Sequence, residues 1–88
     1  METDMTTTLA ALADPTRRRV VELLSERQPM TTNELAVRFA LSRWAVMKHL
    51  AVLRDARLVQ TLPQGRRRLH FVDRRPLDLV AAWLSRLA

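Results

Sequence analysis

Gly65 is the only glycine in this chain of 88 residues, and two β-prone runs within Leu58–Val72 flank Gln64-Gly65. A tight hairpin turn needs positive φ, a region that glycine enters at no steric cost. A β-hairpin is therefore predicted here. Pro63, beside the turn, has no N–H to give to a ladder, so its strand should lie at a free edge. Leu69 and Phe71 alternate with Arg68 and His70, which predicts that Leu69 and Phe71 form the buried face. Arg66, Arg67 and Arg68 then crowd the hairpin tip.

The segment just upstream reads as two helices joined by a tight break. Asn33 can cap a short helix whose apolar residues Leu35, Ala36 and Phe39 form one stripe. Ala40 and Leu41 make the break, although the glycine often found at such a break is missing. Ser42 is a strong N-cap for the second helix. Val46, Leu50 and Leu53 fall at i, i+4 and i+7 and face inward. Arg43, Trp44, Met47, Lys48 and Arg54 are left on or near the opposite face. Such a face suits a groove reader, because Arg and Lys pair with guanine edges or phosphates and apolar atoms meet thymine methyls. The unit spans about residues 33–56, with the hairpin at about 58–72 as a wing that meets a nucleic-acid backbone.

Charge supports a polyanionic partner. Residues 38 to 75 hold ten Arg or Lys against Asp55 and Asp73, a net +8 of a total of +6. Residues 1 to 37 carry −2, and residues 76 to 88 balance. A chain kept soluble by general basicity would not have a weakly acidic first third. There are no cysteines, which excludes disulfides and thiolate metal sites. The polar, acidic opening residues do not read as a secretion signal, and no apolar run is long enough for a bilayer. A cytoplasmic location is expected, with one domain over residues 1–88.

The flanking segments suggest an interface between two copies. Met5, Leu9 and Leu12 mark a first helix at about 4–13. Asp14-Pro15 starts a second, with Pro at the first helical position. Pro76 opens a last helix to about residue 87. Leu77, Val80, Ala81, Leu84 and Leu87 form one apolar stripe on it, and Leu79 with Trp83 form another. A terminal helix on so small a domain can bury one stripe on its own core; the second would mark an interface. A two-fold homodimer joined through the first and last helices, by Met5, Leu9, Leu12, Leu79, Trp83 and Leu87, is expected.

Leu12-Ala-Asp-Pro-Thr-Arg-Arg-Arg-Val-Val-Glu-Leu-Leu24, Glu34-Leu-Ala36, Leu41 to Val59 and the Gly65-Arg-Arg-Arg-Leu-His-Phe71 wing together resemble the ArsR-type winged-helix repressors over about residues 9–73. The resemblance implies a mainly α (α+β) fold ordered α1-α2-α3-α4-hairpin-α5, a dimer that reads a palindromic site in double-stranded DNA, and a recognition helix from Ser42 to about Ala56. The family's metal sensors carry Cys on the helix before the recognition helix, whereas Met30–Ala36 offers neither thiol nor imidazole. A second family site uses Asp and His on the last helix, which here has Asp78 and no His or Glu. The chain thus resembles the metal-independent branch, and no metal or cofactor is expected.

The residues expected to meet DNA are Ser42, Arg43, Trp44, Met47, Lys48, His49, Arg54, Arg66, Arg67 and Arg68. Trp44 either packs on sugars and thymine methyls or lies over a neighbouring side chain. His49 adjoins the core stripe and reads as a packing residue or a phosphate contact. Arg17, Arg18 and Arg19 read as a solvated face or as ion-pair partners of Glu22. Glu22 and Glu26 have no nucleophile, base or metal partner nearby, so they make no active site. An enzyme is not expected, since neither a Gly-rich phosphate loop nor a nucleophile-base set is present. The competing reading is a winged-helix module that binds protein or RNA without operator specificity.

Overall fold

The computed structural model describes residues 2–88, with side chains from Met5 onward. The elements run α1 (Glu2–Ala11), α2 (Pro15–Glu26), β1 (Met30–Thr31), α3 (Thr32–Phe39), α4 (Arg43–Asp55), β2 (Val59–Gln64), β3 (Arg67–Val72) and α5 (Arg75–Leu87). The core is built by Val20, Val21, Leu23 and Leu24 of α2, Leu35 of α3, Val46, Leu50 and Leu53 of α4, and Leu58 and Val59 at the wing base. The inward stripes expected on α3 and α4 are the observed ones.

Helix ends are closed by side chains. The Asp14 carboxylate accepts from the Arg17 N–H at 3.0 Å and caps α2, with Pro15 at the first position. That backbone hydrogen bond holds the Asp14 carboxyl below its usual pKa. Arg17 and Arg18 turn back toward α1, and neither pairs with Glu22; Arg18 stays exposed, as a solvated face requires, while Arg17 is half-buried. Arg17 Nε donates to the Ala11 carbonyl at 2.6 Å and Arg18 Nη1 to the Leu12 carbonyl at 2.7 Å. These guanidiniums satisfy carbonyls at the C-terminal end of α1, where cations are favoured.

The helix-turn-helix follows the same logic, with one correction. The N-cap of α3 is Thr31 and not Asn33. The Thr31 hydroxyl accepts from the Glu34 N–H, and Glu34 accepts from the Thr31 N–H, a reciprocal capping box. The break is made by Ala40 in the left-handed region (φ 53°, ψ 43°), and the Ser42 hydroxyl accepts from the Ala45 N–H to open α4.

The wing is an antiparallel hairpin whose two-residue turn is Gly65-Arg66, one residue later than the expected Gln64-Gly65, because Gln64 still pairs with Arg67 in the ladder. Gly65 has φ +60°, as the lone glycine implied. Strand order is β1-β3-β2, so the Pro63 strand lies at an edge as expected, while β3 is central. The third strand, β1, was not foreseen; its two residues pair Met30 with His70 and Thr31 with Leu69.

The expected face of β3 is reversed. His70 is buried at 1% exposure, whereas Leu69 and Phe71 are only half-buried. The inward face pairs His70 with Thr61 and Val72 with Val59, over the core.

On α1 the buried residues are Thr8 and Ala11, leaving Leu9 at 41% exposure. The expected split of α5 into one buried and one open stripe does not occur. No residue of α5 is buried; Leu77 packs against the core, Val80 and Trp83 are half-buried, and Leu79, Leu84 and Leu87 are exposed. Among the described residues no helix is long and apolar enough to cross a membrane.

Candidate nucleic-acid interface

A groove of about 730 Å³ lies between the outer face of α4 and the wing. The helical periodicity of α4 sends Val46, Leu50 and Leu53 inward, so Arg43, Trp44, Met47, Lys48 and Arg54 project from the other side. All five line the groove. Trp44 is 68% exposed, and the Lys48 ammonium lies 4.5 Å from the centre of its ring. Of the two readings of Trp44, the free protein adopts the second: a neighbouring side chain lies over it.

The wing contributes Arg67 and Arg68 to the same groove. Pairing register puts them on opposite faces of β3: Arg68 shares the inward face with His70, and Arg67 shares the outer face with Leu69. Arg66 sits in the turn itself and is exposed. Glu34 is the single acid in the groove lining. Its carboxylate is already engaged by the Thr31 N–H, which holds its pKa low, with Arg67 and Arg27 adding to the effect. The lining therefore keeps a strong cationic excess.

Besides Arg66, two more expected contacts, Ser42 and His49, lie outside the lining of this groove. The exposed Ser42 hydroxyl serves the α4 cap. His49 is half-buried and lies near Asp14 at the start of α2.

His70 is the residue that sequence reasoning misplaced. Its Nε2 lies 2.8 Å from the Thr32 hydroxyl and its Nδ1 2.9 Å from the Thr61 hydroxyl. Burial, then the nearby Arg54 and Arg68 guanidiniums, push its pKa down to about 4, so the ring is neutral near pH 7. At the wing base, Asp73 accepts from Arg75 at 2.6 Å and from Gln60 at 3.1 Å, tying β2 and β3 to the start of α5. The Arg75 guanidinium holds the Asp73 carboxyl down to about 2. Among the described residues no three His, Cys, Asp or Glu side chains converge as a metal site would require.

A helix-turn-helix whose second helix and basic wing enclose one cationic groove defines a winged-helix DNA-binding protein. Comparison with known proteins narrows the class. Residues 12–61 match the model of a helix-turn-helix domain family. The chain is 38% identical over 82 residues to the HTH-type transcriptional regulator YuzN of Bacillus subtilis strain 168, covering 85% of this chain and 89% of that protein. It is 48% identical over 71 residues to the HTH-type transcriptional regulator Rv2034 of Mycobacterium tuberculosis, covering 81% of this chain and 64% of that protein. The crystal structure of an ArsR family transcriptional regulator, RHA00566, superposes with a TM-score of 0.89 at 37% identity, over 99% of this chain and 89% of that one. The chain belongs to the ArsR-type family of winged helix-turn-helix transcriptional regulators. Its function is accordingly DNA-binding regulation of transcription.

Proposed function

We propose that the protein acts as a cytoplasmic homodimer that represses transcription by occupying a palindromic operator, without a metal. The observation that carries this reading is the shared groove, in which Arg43, Lys48, Arg54, Arg67 and Arg68 surround one already engaged acid. Arg43, Trp44, Met47 and Lys48 would enter the major groove, where base edges and thymine methyls are accessible. Arg54, Arg67 and Arg68 would hold phosphates, with Arg66 reaching further along the backbone. Ser42 and His49 are assigned structural roles.

The dimer is supported by the chemistry of α5. Leu79, Leu84 and Leu87 are exposed on α5, and Leu9 is exposed on α1, the helix that packs against it. Covering a large apolar side chain contributes roughly 1.5–3 kcal/mol, enough for a few such pairs to hold two copies together. Repression is the simplest sense of regulation, because occupancy alone blocks polymerase whereas activation needs a further polymerase contact. Metal independence rests on the absence of thiols and on the lone Asp78 of α5.

The test is equilibrium binding to the duplex upstream of the protein's own gene and to a scrambled duplex, at about 50 and 200 mM salt. Selective binding that weakens steeply with salt is expected. Equal, salt-insensitive binding to both would favour a protein or RNA partner instead.

A further inference from the structure

We propose that His70 is a positioning residue for the DNA interface: bridging Thr32 of α3 and Thr61 of β2, it fixes the angle at which the wing presents Arg67 and Arg68 beside the recognition helix. The inference rests on the DNA reading above.

The hydrogen bonds carry the argument. A neutral imidazole offers one donor and one acceptor, and a threonine hydroxyl supplies either complement. His70 Nε2 meets Thr32 Oγ1 at 2.8 Å, joining the wing to the first helix of the motif across 38 residues of chain. His70 Nδ1 meets Thr61 Oγ1 at 2.9 Å on the neighbouring strand. Arg54 Nη1 donates to that same Thr61 oxygen at 3.4 Å. A polar chain thus runs from the recognition helix through β2 and β3 to α3.

The position of this chain along the wing gives it leverage. His70 is 1% exposed, whereas residues 62 to 68, from β2 around the turn, are all exposed. His70 is therefore the last buried side chain of β3 before the tip. Arg68 lies two residues beyond it on the same face, roughly 7 Å along the strand, so a tilt about His70 moves the arginines and leaves α4 in place. An apolar side chain could fill the same space, but it would set no direction and would strip both hydroxyls of this partner. The ring stays neutral near pH 7, which keeps the donor–acceptor pairing intact.

The test compares His70→Leu, which fills the site, with His70→Gln, whose amide can reach the Thr32 hydroxyl. Each is titrated with the upstream and the scrambled duplex across a salt series, after circular dichroism confirms wild-type helix content. His70→Leu should weaken both duplexes about equally, by roughly three- to tenfold, and make the plot of log K against log salt shallower by about one. Discrimination between the duplexes should stay within about twofold, because base contacts sit on α4. His70→Gln should recover the wild-type slope. An unchanged slope in His70→Leu, or a Gln variant no better than Leu, overturns the proposal. If His70→Leu does not fold, Thr32→Val and Thr61→Val each remove one hydroxyl and are read by the same criteria. Wild-type protein that shows no selective, salt-dependent binding would overturn the DNA reading itself, before any substitution is tested.

Discussion

The Lys48 ammonium lies 4.5 Å from the centre of the Trp44 ring, one turn along the recognition helix. A lysine loses much rotamer freedom when it is fixed on DNA. Holding its head on an exposed aromatic face settles part of that loss before DNA arrives, through a cation–π attraction. The pair should therefore act as a unit. In a double-mutant cycle of Trp44→Ala and Lys48→Ala, measured as DNA affinity, the coupling should be about 0.5–1 kcal/mol. Strictly additive losses would show that the two side chains act separately on DNA.

Arg43 and Arg67 should fail differently. Arg67→Ala should weaken all sequences alike and lower the salt slope by about one, because it removes a phosphate contact. Arg43→Ala, in the first turn of α4, should lower discrimination between the operator and its mutated form by about 1–3 kcal/mol. Equal losses on both duplexes would reassign Arg43 to the backbone.

Stability should fall on acidification, and His70 sets the window. The ring titrates near 6.5 when unfolded and near about 4 in the folded protein. Between those values the unfolded chain binds more protons, so stability is intact above pH 6.5 and declines as pH drops toward 4. The loss reaches up to roughly 3 kcal/mol across that range. Urea unfolding from pH 7.5 to 4.5 measures it, and His70→Leu should flatten the dependence. A slope retained in that variant would place the titrating group elsewhere.

The exposed face of α5 should govern assembly. Leu79→Glu with Leu84→Glu should shift the protein to monomer in sedimentation equilibrium while circular dichroism stays native, since neither side chain belongs to the core. Operator affinity should drop at the same time, because one recognition helix then binds alone. A double variant that remains dimeric would move the interface off α5.

Ala40 occupies a backbone conformation that L-residues adopt at a cost of roughly 1–2 kcal/mol. Ala40→Gly removes that cost and adds some entropy to the unfolded chain. The net gain should be about 0.5–1 kcal/mol in thermal or urea unfolding. A loss of stability would show that the Ala40 methyl makes a contact outweighing the strain.

Much of this architecture was legible in residue order because its causes are local. Asp14-Pro15 and Ser42 cap the helices that follow them, and Val46, Leu50 and Leu53 set one face of α4 by spacing alone. Gly65 and Pro63 located the turn and the free edge through what each backbone can adopt. The cationic outer face of α4 followed by subtraction, once the inward stripe was known.

Other features needed the assembled chain. The cap of α3 is an exception: Thr31-x-x-Glu34 is the spacing of a capping box and was legible in the sequence, but Asn33, the stronger cap by type, drew the reading instead. Arg17 and Arg18 have no local reason to turn toward α1, whose carbonyls approach only when α1 and α2 meet end to end. The face of β3 was misread for the same reason. Leu69, Phe71 and Val72 all look apolar, and alternation cannot tell which side of a strand is covered. Two threonine hydroxyls, one 38 residues upstream and one across the hairpin, make burial of His70 tolerable by meeting both ring nitrogens. Sequence by itself thus determined where the helices and the wing lie and which side of α4 is basic, because caps, turns and periodicity act over a few residues. Only the tertiary structure decided how the wing is oriented against the motif, because that orientation rests on hydrogen bonds between groups far apart in the chain.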